Sequence, residues 1–183
     1  MADALAQLKE RLTRITDLDR VSRLLTWDQQ TMMPAAGAAH RADHMATLRR
    51  LSHELLSADE TGRLLEELRP LEETLEPDSD DGALIRLTRR DYDKAVRVPA
   101  DLRAEMARAA AEARPVWVNA KAASDYALFL PALERDIELR LAYIDCFDDV
   151  EERYDILLDN FEPEMTSAQC ATSSTSSRPS SCP

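Results

Sequence analysis

A chain of 183 residues is long enough for one well-packed core or for part of a larger one. Its 35 acidic residues against 23 basic ones give a net charge of −12, which repels phosphate backbones and anionic lipid surfaces, so neither nucleic acid nor membrane is an expected partner. Three glycines and 5% aromatics, beside abundant Ala, Leu, Glu and Arg, argue against a strand-rich fold and predict an all-α multi-helix array with long amphipathic helices.

The opening residues Met1-Ala2-Asp3-Ala4 lack the basic flank and apolar core of a signal peptide, and no run approaches the ~18 apolar residues of a membrane span, so a cytoplasmic setting is expected. Leu5, Leu8, Leu12, Ile15, Leu18 and Leu25 recur at helical spacing, widened by Val21 and Leu24, and predict a first helix to Asp28. Pro34 disfavours helical geometry at Met33, so Gln30 to Pro34 is expected to turn. A second helix is carried by Met45, Leu48, Leu51 and Leu55. Ser57-Ala58-Asp59-Glu60 reads as a capping box opening a short helix through Leu64, Leu65 and Leu68, which Pro70 is expected to end. Glu76 to Gly82 is a polar linker ending in a helix cap, and Leu84, Leu87 and Tyr92 line the helix after it.

Pro99, followed by Asp101, suits a helix start. Leu102, Met106, Ala109, Ala110, Ala113 and Trp117 continue that helix, and Pro115 inside it is expected to kink or split it, with Trp117 in the core. Ser124-Asp125 caps the next segment. Leu133, Ile137, Leu141 and Ile144 form an amphipathic stripe ending near Phe147, and Tyr154, Ile156, Leu157 and Leu158 begin one more element. No repeat or second domain is evident, and the Ser/Thr/Pro-rich tail, residues 167–183, has little to bury and is expected to be disordered.

Several constellations invite a chemical reading. His40 and His44 stand one helical turn apart, the ligand spacing of zinc peptidases. Between them Arg41 occupies the place of the glutamate that activates metal-bound water, and a permanent cation is no base, so solvated or packed histidines are expected. His53-Glu54 is a weaker signal of the same kind. Asp145, Asp148, Asp149, Glu151 and Glu152 read as a solvated acidic face rather than a cation site. Cys146, Cys170 and Cys182 have no metal-type spacing, and Cys146 is expected to be a reduced core thiol. No glycine-rich phosphate loop or serine nucleophile elbow occurs. No catalytic or metal-ligating residue is assigned. Trp27 and Asp28 have two readings: an aromatic anchoring a core helix beside an acid that caps the turn to Thr31, or, with Gln29 and Gln30, the lining of a groove where an indole and amides position a peptide.

Trp27-Asp28-Gln29-Gln30-Thr31-Met32-Met33-Pro34 resembles the N-terminal signature of the thermostable metallocarboxypeptidase family, carboxypeptidase Taq. Further pieces are similar to the same family in the same order: Arg90 to Asp93 with Val98 to Leu102, Trp117 with Asp125 to Leu133, and Tyr154 to Asp159 with Glu162 to Thr166. The resemblance covers Leu5 to Gln169, and Pro115 departs from it. It implies a helical, dimeric enzyme that uses a divalent metal, zinc or cobalt, to release C-terminal amino acids from peptide substrates. The family's His-Glu-x-x-His motif has no counterpart here, so residues 1–166 are expected to be the N-terminal helical region flanking the groove, inactive alone and without a cofactor of their own. The alternative is a non-catalytic helical protein-interaction module.

The tail is expected to be a frameshift product. With free third bases chosen for the purpose, one GC-rich codon spelling after Gln169 reads, shifted by one base, Val-Arg-Asp-Val-Phe-Asp-Glu-Leu-Lys-Ala-Glu-Leu-Val-Pro, an amphipathic helix. The coding DNA tests this: a downstream frame without His-Glu-x-x-His overturns it.

Overall fold

The computed structural model describes residues 2–76, 79–148 and 150–176. They form α1 (Ala2–Thr31), a 3-10 turn (Ala35–Gly37), α2 (Ala38–Ser57), α3 (Asp59–Glu72), α4 (Asp80–Ala95), α5 (Ala100–Ala123), α6 (Tyr126–Ile144), α7 (Arg153–Leu158) and α8 (Ser167–Ser176). No strand occurs among the described residues, and none of the described helices is long and apolar enough to cross a membrane. The all-α expectation holds.

The chain divides into two compact units, Met1–Leu139 and Arg140–Pro183. In the first, Ala4 and Leu8 of α1, Leu64, Leu65 and Leu68 of α3 and Ile85 of α4 form a core, with Leu5, Leu12, Leu84 and Tyr92 packed around it. The spacing of Leu64, Leu65 and Leu68 puts all three on one face of α3, where removing each from water contributes roughly 1.5–3 kcal/mol. Gly62 keeps that face open to α4: a β-carbon there would stand 2.7 Å from Cζ of Tyr92. A second contact layer runs through small residues, Ala42 and Ala46 of α2 and Ala104 and Ala111 of α5, which let α2 and α5 approach closely.

Arg11 ties the start of α3 to α1. Its side chain donates to the Leu55 carbonyl at 3.0 Å, the Thr61 hydroxyl at 2.6 Å and the Glu60 carboxylate at 2.6 Å. This corrects the expected capping box. Ser57 is the last residue of α2 and donates to the His53 carbonyl, while Ala58 precedes α3 without a side-chain cap. Two helices separated by a single residue leave Ser57 to the first of them. At α4 the linker does end in a cap, the Ser79 hydroxyl accepting from Gly82 N–H; Pro77 and Asp78 lie outside the described residues.

Three boundaries move. α1 continues to Thr31, and α3 runs through Pro70 to Glu72. α5 continues through Pro115 to Ala123 and closes on Ser124, in the left-handed region at φ 52°, with Asp125 N–H bonded to Ala120 O at 3.0 Å. Asp125 also caps α6 as expected, accepting from Ala127 N–H.

In the second unit, Tyr143 is buried, stacks edge-on with Phe147 and donates to Asn160 Oδ1 at 3.1 Å. The tail differs from expectation where it is described: Ser167–Ser176 is helical. Thr166 Oγ1 accepts from Gln169 N–H, and Gln169 Oε1 accepts from Thr166 N–H, the reciprocal bonds of a capping box. Ser167 adds two bonds to Asp155 of α7, from its N–H at 2.7 Å and its hydroxyl at 2.6 Å. Residues 177–183, including Cys182, lie outside the described residues.

Candidate functional site

The second half of α1 carries Ser22, Thr26, Gln29 and Gln30 at spacings of four, three and one, a polar stripe on one helix face. Ser22 and Thr26 turn their hydroxyl protons back to the carbonyls of Leu18 and Ser22, as helical Ser and Thr commonly do. Together with Met45 and Arg49 of α2 and Arg103, Met106 and Arg114 of α5, this stripe lines a cavity of about 520 Å3. That volume falls in the range of small-molecule and peptide pockets.

The four signature residues are divided by the fold. Gln29 and Gln30 line the cavity, whereas Trp27 and Asp28 are outside its lining. Trp27 is 57% exposed, so it does not anchor a core helix. Asp28 pairs with Arg41 of α2, whose guanidinium also donates to the Leu25 carbonyl, stapling the end of α1 to α2. The turn to Pro34 is closed by the Asp28 backbone carbonyl, which accepts from Met32 and Met33 N–H at 2.9 Å each.

Gln29 explains why α5 survives Pro115. A proline inside a helix leaves the carbonyl four residues earlier without its N–H partner. Here that carbonyl is Ala111, a buried residue, and Gln29 Nε2 donates to it at 2.9 Å. The signature glutamine thus replaces the missing backbone donor. Trp117, one turn from the cavity rim, is 39% exposed rather than core; Arg114 and Lys121 lie over its ring at 5.3 and 5.0 Å.

His40 and His44 are exposed on α2. Their neighbours are committed elsewhere, Arg41 to Asp28 and Asp43 to Arg108. Two imidazoles are half a tetrahedral set, and among the described residues no three His, Cys, Asp or Glu side chains cluster as metal ligands. His53 is buried, with its Nε2 at 2.6 Å from the Val98 carbonyl. Burial holds its pKa below the ordinary imidazole value; the Val98 bond opposes this, and the positive charges of Arg103 and Arg49 add to the lowering. His53 is therefore a neutral packing residue that donates to the loop before α5. Asp145, Asp148, Glu151 and Glu152 are exposed, Asp145 paired with Arg153 at 2.7 Å and Glu152 capping α7; Asp149 lies outside the described residues. Cys146 is half-buried and donates to the Ala142 carbonyl, not a core thiol.

The arginines of the cavity were not singled out from sequence. Arg49, Arg103 and Arg114 come from two helices and share no local pattern; only the packing of α2 on α5 brings them to one wall.

Residues 7–175 match the family described as Carboxypeptidase Taq (M32) metallopeptidase, reaching past Gln169. The chain is 35% identical over 157 residues to thermostable carboxypeptidase 1 of Thermus thermophilus, covering 81% of this chain and 31% of that protein. It is 30% identical over 156 residues to carboxypeptidase 1 of Bacillus subtilis, covering 85% of this chain and 30% of that one. A solved structure named BsuCP superposes with a TM-score of 0.88 at 26% identity over 95% of this chain and 35% of its own. The carboxypeptidase of Pyrococcus furiosus, in a structure named Apo-Mg, gives 0.69 at 27% identity over 92% and 33%. The chain spans about a third of the length of the relatives it matches.

Proposed function

This chain belongs to the Taq carboxypeptidase (M32) metallopeptidase family, and on that premise we propose that it forms the N-terminal helical layer of a metal-dependent carboxypeptidase, one wall of the groove that receives a peptide. The observation that carries this reading is the match of residues 7–175 to a family whose relatives are about three times as long. Release of C-terminal amino acids by metal-activated water, the zinc or cobalt ion it uses, the peptide substrate and pairing into homodimers are proposed for the whole protein. What these residues contribute is shape and polarity. Gln30 presents an exposed amide at the cavity, while Gln29 and the Arg41–Asp28 pair fix the end of α1 that bears it.

Because no three metal-ligating side chains cluster among the described residues and no described His, Asp or Glu lines the cavity, the chain alone is expected to lack peptidase activity. The test is an amino-acid release assay on the purified 183-residue chain with a blocked peptide, with and without added zinc or cobalt. No metal-dependent release is expected; metal-stimulated C-terminal trimming would overturn the reading. A second reading, a non-catalytic interaction module, is favoured by the exposed apolar side chains Val21, Leu24, Trp27 and Met32 near the end of α1. A stoichiometric complex with a protein unrelated to peptidases, formed through that face, would favour it.

A further inference from the structure

Pro115 divides α5 into two stretches that are held in different ways. Ahead of it, Ala104 and Ala111 are buried in the layer where α5 packs on α2. Beyond it, Trp117 and Val118 are 39% and 46% exposed, residues 121–123 are exposed, and Ala120 alone among residues 116–123 is buried. Where the two stretches meet, the helix lacks one of its own bonds, because proline has no N–H to give the Ala111 carbonyl. The gap is closed from another helix: Gln29 Nε2 of α1 donates to Ala111 O at 2.9 Å. Gln29, Ala111 and Arg114 all line the cavity between α1, α2 and α5. We propose that α5 carries a hinge at residues 111–115, that the Gln29 amide is its latch, and that residues 116–123 swing as a unit when the latch opens. The hinge is a property of this chain and stands whether or not the cavity receives a peptide.

Prolines are where helices bend, and the turn around one is the weakest point of the hydrogen-bond ladder. Here the repair is a single neutral hydrogen bond from a side chain, which opens and recloses without disturbing the alanine layer on α2. Across the proline, Arg114 lies over the Trp117 ring at 5.3 Å, a partly exposed contact too weak to lock the two stretches together. The moving stretch ends where α5 ends, at Ser124 in the left-handed region, so it is about two turns long. A stretch of that length with one buried residue belongs to the low-stability end of a fold. Its motion carries Trp117 away from Arg114 and changes the α5 edge of the cavity. Gln29 thus does more than replace a missing donor: it sets how often that edge moves.

The test is native-state amide hydrogen exchange along α5, read by NMR in the 183-residue chain at increasing urea. Helix geometry pairs the amides of Val116, Trp117 and Val118 with carbonyls of residues 112–114, ahead of the proline, so these amides report on the hinge. They are expected to exchange about tenfold faster than residues 107–110 on one side and Ala120 on the other, with little dependence on urea, the mark of a local opening. Fraying from the helix end would instead give rates that rise steadily toward Ala123, and would overturn the proposal. Pro115→Ala, whose N–H restores the helix bond, is expected to slow the three amides about tenfold. Gln29→Ala is expected to speed them about tenfold, and to change them little in the Pro115→Ala background. Gln29→Glu, close in shape but unable to donate when ionised, is expected to act as Gln29→Ala does. Exchange of the three amides that follows the global urea dependence, or that is unmoved by Pro115→Ala or by Gln29→Ala, would overturn the proposal. Where a Gln29 variant fails to fold, the wild-type profile against that of Pro115→Ala decides.

Discussion

Gln29 shows how one side chain does work that neither its own neighbourhood nor the proline it serves makes visible. It reaches from α1 to the Ala111 carbonyl that Pro115 leaves without a partner. A buried carbonyl stripped of its donor costs about 1–3 kcal/mol, so Gln29→Ala is expected to lower stability by that amount in urea unfolding. In the Pro115→Ala background the loss is expected to shrink, because an alanine N–H restores the backbone bond; an undiminished loss would contradict the pairing. His53 makes a second prediction. Its folded pKa is depressed by burial, so the fold keeps the ring neutral while the unfolded chain takes up a proton as pH falls through about 6.5. The His53 contribution is thus complete above that value and declines as pH falls from there toward the lowered folded pKa. Between about pH 7 and about pH 5 the wild-type chain is expected to lose more stability than His53→Gln does, measured by the same denaturant midpoints; identical losses would contradict it. Neither role was legible in sequence, since both depend on carbonyls far away in the chain.

At the scale of helices, much was legible. Leucine spacing located α1, α3 and α4, and Leu8, Leu64 and Leu68 are buried as their periodicity required. Periodicity does not say whether a partner exists, and there the reading failed: Val21, Leu24 and Trp117 continue apolar stripes yet stay exposed. Capping chemistry misled and informed in the same way. Ser57 has the right neighbours for a capping box but ends the previous helix, while the box that forms, Thr166 with Gln169, opens a helix where low hydrophobicity pointed to disorder. Thr166→Ala is therefore expected to destabilise α8 by about 1 kcal/mol, seen as faster amide exchange in Ser167 to Cys170 with no change in the first unit. Unchanged exchange would show that the bonds from Ser167 to Asp155 hold the helix without the cap. Of the candidate site, Gln29 and Gln30 were legible through the family signature. The arginines were not, because two helices had to pack before they met.

Among the described residues, apolar side chains stand exposed on α1 and α6. Leu24 is 61% exposed on α1, and Ile137 and Leu141, on the stripe of α6, are 49% and 46% exposed. Surfaces of this kind mark contact sites in larger assemblies. Concentration-dependent association is expected in sedimentation velocity, reduced by Leu24→Glu and Ile137→Glu; a monomer at every concentration would contradict it. On the proposed reading, these 183 residues build a wall of the metallocarboxypeptidase groove and supply none of its chemistry. Calorimetric titration of the chain with zinc tests it most directly. No stoichiometric binding is expected, and His40→Ala with His44→Ala should leave the trace unchanged. One tightly bound zinc per chain, lost in that double variant, would contradict it.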